Sequence, residues 1–429
     1  MDKKKIETVL REKASYYAGE IWQTGYHFVK WSVLAILVGG IVGGISSAFA
    51  HVLSTVAAYR QEYPFLLFFL PVAGIIIIFL YKKFGKDDGG TNQVFSTVRN
   101  RDEVSATAAP LIFVSTALTH LTGGSAGREG AAIQLGGSIA NQLGRWFKMD
   151  EEDTHVVVMC GMSAGFAALF GTPMAAAIFS LEVISVGIMY YTALMPCMIA
   201  SLMAAGVAEA LGVHAESFHI SMIPHLTPVN GIKMGTVAVC CAVLSILFCM
   251  LLKNVGKAYG KWLKNKYLRI AVAAGMIIGL NLLLRTTDYM GLGAELIVKA
   301  VEEGQARPMD FFWKMLLTAL TMKAGFKGGE IVPSFCIGAT LGCVLGQILG
   351  LAPGLCAACG MVAVFCGVTN CPITSMLIAF ELFGFDGVSY FLIAIAVSYA
   401  TSGYYGLYKD QTIVYSKYKA KYVNQKIRS

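Results

Sequence analysis

The chain has 429 residues, 56% hydrophobic and 14% charged, with a formal net charge of +8 and a mean hydropathy of +0.63. A soluble protein of this length carries roughly a quarter of its residues as charges, so this balance excludes a soluble globular domain and points to a polytopic membrane protein. The basic residues are spread over loops and both tails, which suits positive loops kept in the cytoplasm rather than a nucleic-acid surface.

Residues 1–30 open with MDKKKIETVLREK. They lack the short apolar core and cleavage site of a signal peptide and read as a cytoplasmic amphipathic helix. Trp31–Leu53 and Phe65–Tyr81 are each long enough to cross a bilayer, with a short polar turn at Ala58–Tyr63. Lys82, Lys83 and Lys86 follow the second span. With the basic N-terminus, they place both ends of this pair on the cytoplasmic side. The polar side chains of Gly89-Gly90-Thr91-Asn92 then face the cytoplasmic entrance; the plainer alternative is an ordinary Gly-rich loop.

Ala106–Leu121 leads into TGGSAGREGAAIQLGG, Thr122–Gly137. Its glycines break a helix inside lipid-like sequence, and a new apolar helix is expected from about Ala131. A broken helix presents unpaired N–H groups and the positive end of a dipole, which suit an anion. Glu129 at that spot competes with the anion and can be neutralised by a proton. Arg128 beside it reads as a charge balance or helix cap before an anion contact. Val156–Phe170 and Met174–Ile188 are apolar but short for full spans, and Gly171-Thr172-Pro173 breaks the chain between them. The polar connection after Gly212 holds His214, His219 and His225, read as solvated and extracellular rather than pH-sensing.

The second half repeats the first. Gly161-Met162 through Glu182 lies on Gly360-Met361 through Glu381 without a gap, each Gly preceding a Pro by twelve and each Pro a Glu by nine. Glu129 to Gly137 has the same spacing as Glu330 to Gly338. Matching breaks in two related halves mark a repeat-built transporter. The expected division is 31–212 and 233–408 for the repeats, 213–232 for the connection and 409–429 for a short cytoplasmic tail. Glu182 and Glu381, one per repeat, suggest capping or packing more than a proton relay. The eleven cysteines sit mostly in apolar runs. Cys356-Ala-Ala-Cys359 has redox or zinc spacing without a second pair, so a buried apolar pair is expected. No P-loop is present, so ATP is not expected to drive transport.

From GREG at Gly127–Gly130, with the following apolar helix and the paired Pro173–Glu182 and Pro372–Glu381, the chain resembles the CLC family of chloride channels and transporters. The resemblance runs from about Trp31 to Tyr415. It implies an all-α polytopic membrane fold, an inverted repeat of discontinuous helices, one pore per subunit, a homodimer, and an anion site at helix N-termini.

The departures narrow the reading. The family's inner motif GSGIP is replaced by Gly90-Thr91-Asn92-Gln93-Val94, and its GGIFAP by Gly328-Gly329-Glu330-Ile331-Val332-Pro333. Where chloride/proton exchangers carry a second glutamate, this chain has Val183, which by itself suggests a passive chloride channel. Glu330 argues otherwise, since a permanent charge there is costly in a membrane and repels the transported ion. An Asn-containing inner motif with a glutamate in the second break resembles the bacterial fluoride-exporting branch. The resemblance implies Glu129 as gate, Glu330 as central proton and ion residue, Thr91 and Asn92 as inner anion site, and Tyr408 closing it. Fluoride holds water tightly, so its site needs strong donors: the Asn92 amide, the Thr91 and Tyr408 hydroxyls, and backbone N–H groups at Gly130, Ile331 and Val332. The expected activity is proton-coupled fluoride export across a bacterial cytoplasmic membrane, with no cofactor, metal or nucleic acid. The alternatives are a chloride/proton exchanger or passive chloride channel of the same fold, or an intramembrane redox or metal protein built on the cysteines.

Overall fold

The computed structural model describes residues 3–85, 90–100, 105–419 and 421–428. Helix α1 (Lys3–Glu62) is continuous across residue 30, where a cytoplasmic segment and a span were expected to meet. The first proline of the chain is Pro64. It opens a 3-10 turn (Pro64–Phe69) after Tyr63 leaves the helical region, as the residue before a proline is driven to do. Then come α2 (Leu70–Phe84), α3 (Thr91–Asn100), α4 (Ala108–Leu121), α5 (Glu129–Trp146), α6 (Glu151–Phe170) and α7 (Pro173–Glu182). Strand β1 (Ser185–Val186) and α8 (Leu194–Ala210) complete the first half. The second half holds α9 (Pro228–Trp262), α10 (Lys266–Leu284), α11 (Ala294–Val301), α12 (Asp310–Ala324), α13 (Ile331–Leu349), α14 (Pro353–Thr369), α15 (Pro372–Phe383) and α16 (Val388–Thr401). Strands β2 (Thr412–Tyr415) and β3 (Tyr422–Lys426) end it.

Seven helical segments among the described residues are long and apolar enough to cross a bilayer, and α4, α7, α14, α15 and α16 are apolar but shorter. Val156–Phe170 is not a short segment. It is the inner part of the 20-residue α6, which Asp150 caps one turn earlier by accepting from the Asp153 N–H at 2.8 Å. Met174–Ile188 is short, and α7 ends at Glu182. Pro starts α7, α9, α14 and α15, at the position where its missing N–H costs nothing.

The centre is made of two crossed pairs, α5 on α6 and α13 on α14. Gly136 meets Gly161 and Gly338 meets Gly360 so closely that a Cβ on any of them would lie within 2.4 Å of the facing backbone or an alanine methyl. Such contacts let membrane helices gain packing without a hydrophobic drive between them. The tail adds a feature unseen in the sequence. Strands β2 and β3 form a hairpin, and β2 pairs in parallel with β1 at Ser185–Thr412 and Val186–Ile413. The end of the chain is thereby tied to the end of α7.

Candidate functional site: the paired helix breaks

The two Gly-rich breaks meet. Gly127 N–H donates to the Gly329 carbonyl at 2.7 Å, and Gly329 N–H returns to Gly127 at 2.8 Å, as an antiparallel bridge. A Cβ on Gly329 would lie 2.7 Å from Gly130 N, and one on Gly127 would lie 2.9 Å from Pro333 Cδ. The pairing brings the starts of α5 and α13 together. Helix α5 begins at Glu129, two residues before the expected Ala131. The first N–H groups of a helix have no partner inside it, so Gly130, Ile331 and Val332 carry donors at two converging positive ends. All three residues are buried.

The break is braced from outside. Gly291 N–H donates to the Gly124 carbonyl at 3.1 Å, and Ala126 N–H to the Gly291 carbonyl at 3.2 Å. Lys314 of α12 is fully buried, and its Nζ donates to the carbonyls of Gly291 at 2.7 Å and Tyr289 at 3.1 Å.

Glu129 is wholly buried. Its Oε2 accepts from the Arg128 N–H at 3.1 Å, so the carboxylate folds back over its own helix start. The Arg128 guanidinium reaches Glu129 Oε1 at 3.4 Å with Nε and Glu216 Oε1 at 2.5 Å with a terminal nitrogen. Arg128 thus balances one carboxylate in the break and one in the inter-repeat connection. Arg128 and Glu216 line a cleft of about 590 Å³ together with Arg60 and His120. Glu330 is the N-cap residue of α13, and Lys323 of α12 lies 3.7 Å from its Oε1.

On the other side, Thr91 and Asn92 begin α3. The Thr91 hydroxyl donates to the Gly130 carbonyl at 3.2 Å, so it ties α3 to the break and its proton is already committed. Asn92 Oδ1 is buried with no hydrogen-bond partner among the described residues. Tyr408 is 3% exposed. Its ring stands edge-on to Phe95 of α3 at 4.8 Å. Gly89 and Lys86 fall outside the described residues.

Glu182 and Glu381 are helix caps, each for the other's helix. Glu182 accepts from the N–H groups of Ile373 (3.1 Å) and Thr374 (2.9 Å) and from the Thr374 hydroxyl (2.6 Å). Glu381 accepts from the N–H groups of Met174 and Ala175, both at 2.9 Å. All eleven cysteines are unbridged, and Cys356 and Cys359 are buried inside α14.

The sequence model of one family, described as Voltage gated chloride channel, matches residues 73–403. The chain belongs to the CLC family. A chloride/fluoride channel protein of Pseudomonas syringae pv. tomato is 35% identical over 401 residues, covering 91% of this chain and 88% of that one. A crystal structure of a CLC-type fluoride/proton antiporter superposes with a TM-score of 0.85 at 34% identity, covering 90% of this chain and 98% of that one. A slow cyanobacterial Cl⁻/H⁺ antiporter shares the fold, with a TM-score of 0.76 at 19% identity over 87% and 94% of the two chains. This CLC protein is therefore a multi-pass protein of the cytoplasmic membrane and a transport protein rather than an enzyme.

Sequence reasoning missed three partners of the CLC core. Glu216 and Lys314 sit far from their contacts along the chain, Lys323 lies seven residues before Glu330 across the end of α12, and no motif marks any of them. A buried lysine inside an apolar helix was the one legible signal, at Lys314.

Proposed function

We propose that this CLC protein exports fluoride in exchange for protons. The observation that carries the reading is Glu330, a second carboxylate at the paired breaks, at the N-cap position of α13 and facing Lys323 at 3.7 Å. A fixed negative charge at an anion-binding helix start opposes the transported ion, so the residue is useful there if it can be neutralised. The names of the fluoride-handling relatives support the same choice.

Glu129 is the gate. Its carboxylate takes a backbone donor at the start of α5 that an anion would otherwise use, so anion entry requires it to leave. A proton on Glu129 weakens its hold on that donor, and this competition couples the two ions. Gly130, Ile331 and Val332 supply backbone N–H groups, and the Asn92 amide and Tyr408 hydroxyl supply side-chain donors, which together replace fluoride's water. Thr91 acts by holding α3 against Gly130. Lys323 keeps Glu330 in place and offsets its charge. The subunits pair as a homodimer with one pore each, in contact with lipid. Val183 favours the passive chloride channel as second reading, because the buried position after Glu182 has no proton carrier.

The test is ion flux from proteoliposomes loaded with fluoride or chloride, with a fluoride electrode and a pH probe run together. Fluoride efflux that drives protons uphill, and that coupling lost in Glu129→Gln, is the expected result. Chloride flux without proton movement would refute the antiporter.

A further inference from the structure

A second charged cleft, of about 550 Å³, lies away from the breaks, between the end of α2, the start of α10 and the link from α12 to α13. Four cations line it, Lys82, Lys266, Arg269 and Lys327, and no described lining residue is acidic. They come from three separate elements, so the cluster is a product of the fold. Arg269 Nε donates to the Ala324 carbonyl at 3.1 Å, which fixes the guanidinium and leaves its terminal nitrogens for a ligand. Lys327 Nζ sits 4.3 Å from the Tyr81 ring centroid, a cation–π contact that holds it at the cleft wall. Asn265 caps the 19-residue α10 by accepting from the Tyr267 N–H at 2.9 Å, so the positive end of that helix adds to the field.

The surroundings indicate what carries the negative charge. Helix α2 exposes Val72, Ile75, Ile76 and Phe79, and α10 exposes Leu268, Val272 and Met276. These apolar faces adjoin the cleft, whose own wall includes Ile77 and Ile78. Lys82 and Lys266 stand at the basic helix ends that the positive-inside rule assigns to the cytoplasm. Basic pockets between membrane helices at that level take anionic headgroups, and the acyl chains would lie along exposed apolar helix faces. A soluble phosphate would gain nothing from those faces. We infer that this cleft binds a phosphate group presented by an anionic phospholipid of the cytoplasmic leaflet.

The test is native mass spectrometry of the full-length protein with phosphatidylglycerol or phosphatidylcholine of matched chains. Lys82 and Lys266 are exposed, so Lys82→Gln with Lys266→Gln should fold, and the melting temperature without lipid checks it. The wild type should retain phosphatidylglycerol in preference, and the double variant should retain it roughly tenfold less, with phosphatidylcholine unchanged. Equal retention of both lipids, or no loss in the double variant, would overturn the site. Protection of lipid-free protein by inorganic phosphate without any lipid preference would overturn the lipid assignment and leave a soluble phosphate as ligand.

Discussion

Glu182 ends α7 and caps α15, while Glu381, near the end of α15, caps α7. Each carboxylate satisfies the N–H groups of the second and third residues of the other repeat's helix, the first two that follow its opening proline. The exchange is two-fold, as is the Gly127–Gly329 bridge. Both follow from two halves meeting in opposite directions. Glu182→Ala should therefore lower thermal stability by about 1–2 kcal/mol, as lost caps do, and leave the pH profile of flux per folded molecule unchanged. A shifted profile at intact stability would make Glu182 a proton carrier.

Lys323 faces Glu330 at 3.7 Å and holds the carboxylate at the start of α13. Lys323→Met removes that partner and should lower proton-coupled fluoride efflux in proteoliposomes. Lys323→Arg, which keeps the charge, should restore it, and Glu330→Gln should leave fluoride efflux that no longer carries protons. Parent-like coupled efflux in all three variants would remove Glu330 from the proton path.

The bridge leaves no space for a side chain. Gly329→Ala forces a methyl to 2.7 Å from Gly130 N, so the helix starts must part and fluoride flux should fall at least about tenfold, even a 1.4 kcal/mol misfit being worth that factor. Gly44→Ala in α1, where nothing lies within 4 Å of the added methyl, should keep full flux and gain up to about 1 kcal/mol from helix propensity. Equal flux in both variants would show that the bridge does not position the site.

The turn that leads to Tyr408 is braced by the tail at Tyr405. Lys417 Nζ donates to Asn370 Oδ1 at 2.5 Å and to the Ser402 hydroxyl at 3.1 Å, and Asn370 Nδ2 donates to the Tyr405 carbonyl at 2.9 Å. Lys417→Met unties this knot and should lower the selectivity of fluoride over chloride in the flux assay, by freeing Tyr408 from its contact with Phe95. Unchanged selectivity would separate the tail from the inner site.

Lys314 bonds the 289–291 strap that grips Gly124 and Ala126. Lys314→Met leaves the Tyr289 carbonyl without its donor and the Gly291 carbonyl with the Ala126 N–H alone, and should cost about 1–3 kcal/mol in stability, measured by thermal unfolding in detergent. A variant as stable as the parent would show that the strap needs no buried cation.

The sequence by itself determined the membrane class, the repeat, the two breaks and the residues that stand at them. Those features are local: hydropathy over one span, Gly and Pro at fixed offsets, and a carboxylate beside a glycine run are legible without knowing what lies opposite. Tertiary structure alone decided which groups meet. That the two breaks bond to each other, that Thr91 spends its hydroxyl on Gly130, that Glu182 caps the opposite repeat, and that Arg128 reaches Glu216 all depend on segments brought together across the chain. The same holds for the tail, whose short strands bury too little to be seen as structure until β1 offers an edge. Charge pairing and hydrogen bonding act over a few ångströms, and sequence order carries no record of that distance once helices turn back through the bilayer.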